Sequence, residues 1–197
     1  MSKIHIMKSF VLLLILIIVG LTFQGCQNAN HNSETGSGDM VDTAKIDGRL
    51  KLENEIQTAM FIETVAMNNM LKVELGELAV EKASNPGVKS FGKLILRDHK
   101  DMDRDLNTLA VARGLKLSDF FGEKHLAQVE QMADMKTSYF EKLYMKMMIE
   151  RYNKDIELFK SARKSPDTAI SNFARKFLPV LEIQRDTAIK VQSGLTL

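Results

Sequence analysis

The chain has 197 residues, with 27 Lys plus Arg against 25 Asp plus Glu, a single Cys and no Trp. That length suits one domain with appendages, and the lone cysteine excludes both an intramolecular disulfide framework and any multi-cysteine zinc or iron–sulfur site. A formal charge of +2 leaves a nucleic-acid role without an electrostatic footprint.

In chain order, Lys3 and Lys8 form a positive leader to the unbroken apolar run Phe10–Val19, and Gly20, Thr22, Gln24 and Gly25 break that run. The run is short for a permanent membrane span and fits a signal peptide over residues 1–25. Its removal would leave 25 positive against 25 negative charges. Cys26 follows directly and resembles the acceptor cysteine of a bacterial lipobox, although Phe23 and Gln24 replace the usual Leu and small residue. The resemblance implies lipidation of Cys26, hence a membrane as partner. With Gln27 rather than Asp next to the cysteine, it also implies the outer membrane of a double-membrane bacterium, facing the periplasm. Residues 26–48 are polar and poor in large apolar side chains, and are expected to be a tether.

From residue 49 to 197 the periodicity predicts a single all-α domain. The first helix is expected over Leu52–Ala83, stopped by Ser84-Asn85-Pro86, which also starts the second. That second helix carries the stripe Val88, Phe91, Ile95, His99, Met102, Leu106 and Leu109 and ends at Gly114. Ser118–Asp134 reads as a broken helix inside a longer connection, Leu115–Thr137. Ser138-Tyr139-Phe140-Glu141 has the capping-box pattern and predicts the start of a third long helix. Its stripe is Phe140, Tyr144, Met148, Tyr152, Asp155, Leu158 and Ala162. Ser165 is the expected N-cap of the fourth, whose stripe is Ile170, Phe173, Phe177, Leu181, Gln184, Ala188 and Val191, with Pro179 expected to kink it. Two hairpins joined by a longer connection give an antiparallel four-helix bundle of ferritin-like type.

The segments Val73-Glu74-Leu75-Gly76-Glu77-Leu78-Ala79, Phe91-Gly92 followed by Arg97-Asp98-His99, Phe140-Glu141-Lys142-Leu143-Tyr144, and Phe173-Ala174 with Leu178-Pro179 carry a family resemblance. In their order and spacing the chain resembles a ferritin-like, signal-peptide-bearing outer-membrane protein family of bacteria whose function is unassigned. The resemblance covers Asn54–Val191. It implies a histidine on each of the second, third and fourth helices, but here only His99 is kept and Tyr152 and Gln184 stand at the later positions. Phenol and carboxamide are poor substitutes for imidazole as metal ligands. No glutamate is followed by a histidine three residues on, so the Glu-x-x-His pair of a ferritin-type di-iron centre is missing.

An inward polar layer of Glu77, His99, Tyr152 and Gln184 is therefore expected, with His99 hydrogen-bonded across the bundle to Tyr152, Gln184 or a first-helix glutamate. The metal reading would centre on His99 and Glu77. Met60, Met67, Met70, Met102, Met147 and Met148 have core-like spacing and read as core filler. Glu63 and Glu74 read as a solvated face, and His125 as exposed. There is no Gly-rich phosphate loop, no Ser/His/Asp arrangement and no basic patch interleaved with aromatics. The expected function is a membrane-tethered periplasmic bundle with a binding, structural or stress-related role, without catalysis, cofactor or nucleic acid. The alternative is a degenerate metal or redox site at His99.

Overall fold

The computed structural model describes residues 43–118 and 122–195. The expected signal peptide, residues 1–25, and Cys26 lie outside the described residues. All regular structure described is helical: α1 (Thr43–Lys82), α2 (Pro86–Val111), α3 (Glu123–Ala133), α4 (Thr137–Ala162) and α5 (Thr168–Ser193). None of these helices is long and apolar enough to cross a membrane.

Local chemistry sets the turn between α1 and α2. Asn85 is the N-cap of α2 and its Oδ1 accepts from the amides of Gly87 (2.8 Å) and Val88 (3.3 Å), with Pro86 in the first turn. The capping box expected at Ser138 does not form. Helix α4 starts at Thr137, and Glu141 instead reaches across to α1, where its Oε1 accepts from the amides of Ser84 (2.6 Å) and Asn85 (2.7 Å). A buried carboxylate thus satisfies donors of the α1–α2 turn that would otherwise be stranded. At α5 the N-cap is Asp167 rather than Ser165, since Asp167 Oδ1 accepts from Ala169 (2.9 Å) and Ile170 (3.2 Å). The Ser165 hydroxyl accepts from the Asp167 amide one step earlier (3.2 Å). The residue past α2 that must take φ +65° is Gly114, which suits a glycine. Helix α5 runs on through Pro179, which sits on its exposed side where the freed Arg175 carbonyl can face water.

Helix α1 begins at Thr43, inside the expected tether and nine residues before the predicted start. The segment AKIDGRLKLENEI holds mostly good helix formers, and extending an existing helix carries no nucleation cost.

Helix directions follow from the pairings. Phe61 of α1 packs on Phe159 of α4 (ring centroids 5.5 Å), while Glu141 at the other end of α4 meets Ser84, so α1 and α4 are antiparallel. Gln184 bonds Asp98 and Lys176 bonds Asp105, so α2 and α5 are antiparallel as well. Since α1 and α2 form a hairpin, α2 and α4 run the same way. The link containing α3 must therefore travel the length of the bundle. Lys82 Nζ donates to the carbonyl of Ala133 (2.7 Å) and moors the end of α3 to α1.

The four long helices bury Ile62, Leu75, Ile95, Leu106, Met148 and Leu181 between them. Phe61, Phe159, Phe173 and Phe177 cluster toward one end, and Phe91, Phe140 and Tyr144 toward the other. Three sequence assignments on α1 need correction. Met60 (61% exposed), Met67 and Glu77 all face outward, because the inward face of α1 is taken by Phe61, Ile62, Val65, Asn69, Lys72 and Leu75. His125 is half-buried rather than exposed.

Gly92 allows a close approach of α2 to α1. A Cβ there would stand 2.7 Å from the Gly76 carbonyl oxygen and 3.1 Å from Val80, whereas a Cβ at Gly76 would meet only ordinary contacts at 3.5 Å. Urea unfolding should separate the two. Gly92→Ala is expected to lose about 1–3 kcal/mol, because backbone must move, while Gly76→Ala should be neutral or gain up to about 1 kcal/mol of helix propensity. Equal losses at both sites would contradict this packing.

Candidate functional site

The polar layer lies between the two aromatic groups and is built mainly from α1, α2 and α4. On α1, Asn69 and Lys72 continue the buried series set by Ile62 and Val65, at spacings of three and four. Lys72 is 2% exposed and its Nζ donates to Asp155 Oδ2 at 2.6 Å. Asn68 Nδ2 donates to the other carboxylate oxygen at 2.7 Å, so both oxygens of Asp155 are engaged. The Lys72 ammonium also sits over the Tyr152 ring, 5.1 Å from its centroid, a cation–π geometry.

A second chain of contacts runs from α2. Asn69 Nδ2 donates to Asp103 Oδ1, and Asn69 Oδ1 contacts His99 Nδ1. A carboxylate only accepts, so Asp103 fixes the orientation of the Asn69 amide. Its oxygen then faces His99, and Nδ1 must carry the imidazole proton. Burial, and next the nearby Lys72 charge, push His99 well below its ordinary value and keep it neutral. Asp103 sits at the rim. Desolvation pushes its carboxyl upward, against the opposing pull of the Asn69 hydrogen bond and of Lys72. On α5, Gln184 Nε2 donates to Asp98 Oδ2 at 3.1 Å. Burial pushes the Tyr144 and Tyr152 phenols upward, so both stay protonated.

His99, Tyr152 and Gln184 are all buried, each on a different helix. The structure pairs His99 with Asn69 rather than with Tyr152, Gln184 or a glutamate. Glu77 takes no part, and Lys72 and Asn69 supply the α1 share of the layer. Among the described residues, four buried side-chain polar atoms have no protein hydrogen-bond partner: His99 Nε2, Tyr144 OH, Tyr152 OH and Gln184 Oε1. Among the described residues no group of three or more His, Cys, Asp or Glu could hold a metal ion. The sequence offered one clue to Lys72. Asp155 on an apolar stripe calls for a buried cation, and Lys72 is spaced like a core residue.

Removing one partner of a buried pair leaves the other uncompensated, at a cost of about 3–5 kcal/mol. Asp155→Leu alone is therefore expected to be strongly destabilising, and the double substitution Lys72→Met with Asp155→Leu to recover most of that loss. A double-mutant cycle from chemical denaturation measures this, and additive losses would contradict the pairing.

The His99 shift also has a pH signature. The unfolded imidazole titrates near 6.5 while the folded one titrates well below, so the unfolded state binds more protons as pH falls through that range. Stability should fall as pH is lowered below about 6.5. His99→Gln should flatten that part of the profile, as read from melting temperatures between pH 7.5 and 5.5.

Comparison with known proteins bears on the fold. Residues 44–191 match the family model described as "Domain of unknown function (DUF4142)". A crystal structure of a DUF305 fragment from Deinococcus radiodurans is similar, with a TM-score of 0.62 and 13% identity over 70% of this chain and 95% of that one. At that identity the likeness is one of fold alone. No curated protein matches the chain.

Proposed function

Given that the chain belongs to the family described as a domain of unknown function, DUF4142, we propose that it is a lipid-anchored envelope protein. Its ferritin-like bundle would serve as a binding or structural scaffold with a stress-related role, held in the periplasm by acylated Cys26. The observation that supports a scaffold over a metalloenzyme is the buried Lys72. In metal-binding bundles, inward carboxylates are compensated by metal ions bound in the core. Here a covalently attached ammonium compensates Asp155 and points a positive charge at the neighbouring His99. That charge would oppose a metal cation at the imidazole.

The ferritin-like reading rests on the helix directions. Two antiparallel hairpins joined by one long crossover, with α2 and α4 parallel, is the connectivity such folds share. The envelope reading rests on the leader and on Cys26. Replacing Cys26 with Ser is expected to move the protein from the membrane to the soluble fraction. Retention of the variant on membranes after alkaline washing would overturn the anchor.

A metal or redox role centred on His99 is the second reading, favoured by the bare lone pair of the buried His99 Nε2. Elemental analysis of protein purified from its native host separates the two. The scaffold reading expects no stoichiometric metal and no change in melting temperature on chelation. Stoichiometric iron, zinc or copper that disappears in His99→Ala would establish the second reading.

A further inference from the structure

Residues 45–57 of α1 are exposed throughout, and Thr58 is the first buried residue after them. Since Phe61 already stands beside Phe159 near the end of α4, the first fifteen residues of α1 extend about 22 Å beyond that level at the helical rise. This projecting segment is amphipathic in an inverted sense. At 100° per residue, Leu52, Ile56, Met60, Ile46 and Leu50 fall within an arc of about 160°, and they are 42–61% exposed. Asp47, Lys51, Asn54 and Glu55 occupy the opposite side. With Leu50 at the edge, that polar side lines an open groove of about 720 Å³ facing Arg113, Leu115 and Pro166 at the end of the bundle. A helix that served only its own domain would turn the apolar arc toward the fold. This one turns it away.

We propose that the turns Ile46–Met60 of α1 are an interfacial segment whose apolar arc lies on the lipid surface to which Cys26 tethers the chain. The inference rests on the lipid-anchor reading. Seventeen Cα steps separate Cys26 from Thr43, which fully extended reach about 60 Å. An acylated Cys26 therefore confines the start of α1 to the neighbourhood of the bilayer, so a modest apolar contact suffices to dock it. The charges suit such a surface. Lys45 and Arg49 lie within the apolar arc, where long basic side chains can run along lipid with their heads in water. Asp47 and Glu55 lie on the far side, and Glu53 is the one acid on the arc. A second copy of the chain is the competing occupant. The arc has less to offer it: antiparallel pairing of two Ile46–Met60 segments about their middle brings Leu50 to Ile56, but it sets Glu53 against its own copy and Arg49 against Gln57 inside the seam.

The test uses the full chain with its acylated Cys26, reconstituted in vesicles of phosphatidylethanolamine and phosphatidylglycerol. Ile56→Cys, Glu55→Cys and Glu77→Cys variants each carry one environment-sensitive fluorophore, and quenching by nitroxide lipids is read. Ile56 is expected to be quenched several-fold more than Glu55 or Glu77, with a blue-shifted emission. Mass spectrometry of the same samples reports acylation. An acylated protein with Ile56 no more quenched than Glu55 overturns the docking and leaves the anchor standing, whereas an unacylated Cys26 removes the anchor and the docking with it. Sedimentation of the Cys26→Ser variant without lipid is expected to give a monomer. A dimer whose Ile56 label is already shielded would assign the arc to a second copy and overturn the lipid reading.

Discussion

An ammonium and a carboxylate cannot be withdrawn from water separately, and this bundle withdraws both at Lys72 and Asp155. Each alone would cost several kcal/mol, and together they are tolerated because they pair at 2.6 Å and each has a further partner. Asn68 takes the second carboxylate oxygen, and the Tyr152 ring faces the ammonium. The consequence is positional. Sliding α4 by one turn relative to α1 would shift Asp155 by about 5.4 Å and leave two unpaired charges in the core. Apolar contacts tolerate such slips far better, so the pair fixes the relative height of the two helices that begin the two hairpins.

The rest of the layer follows from that placement. Burial, and next the charge of Lys72, disfavours the imidazolium at His99, and Asp103 orients Asn69 so that the neutral ring presents Nδ1–H to it. Aromatic clusters lie above and below Asn69, Lys72 and His99, which are buried, while Asp103 stays at the exposed rim. Glu141 ties the start of α4 to the α1–α2 turn, and Arg113 with Asp167 ties the end of α2 to the start of α5. Polar links, buried at Glu141 and half-buried at Arg113 and Asp167, thus bind each hairpin to the other, while apolar packing supplies the bulk of the contact.

The sequence disclosed α2 and α5 well because both carry one sharp apolar stripe; Asn85-Pro86 marks the start of α2, while at α5 Ser165 stands two residues before the actual cap, Asp167. It misled on α1, whose outward face bears Met60 and Met67 while its inward face bears Asn69 and Lys72. Residue type alone points the wrong way at each of these positions. Glu77 was misplaced for the same reason, since its spacing relative to Met70 suggested a stripe that the packed helix turns to solvent. The N-terminal extent of α1 was hidden because nothing in residues 43–51 marks a boundary. The Ser138 capping box failed because Glu141 finds stronger employment across the bundle. His99 was legible as an inward group, but its partner was not, because an asparagine on a charged helix carries no signature of burial.

The titration of His99, followed by nitrogen NMR of its imidazole, tests most directly whether the layer is one coupled unit organised by Lys72. At neutral pH the ring should be the neutral Nδ1–H tautomer with a bare Nε2, protonating well below 6.5. In the Lys72→Met, Asp155→Leu double variant the protonation point should rise, because the repelling charge is gone while burial remains. A His99 that titrates near its ordinary value in the native protein, or that is indifferent to the loss of Lys72, would contradict a core organised by that charge.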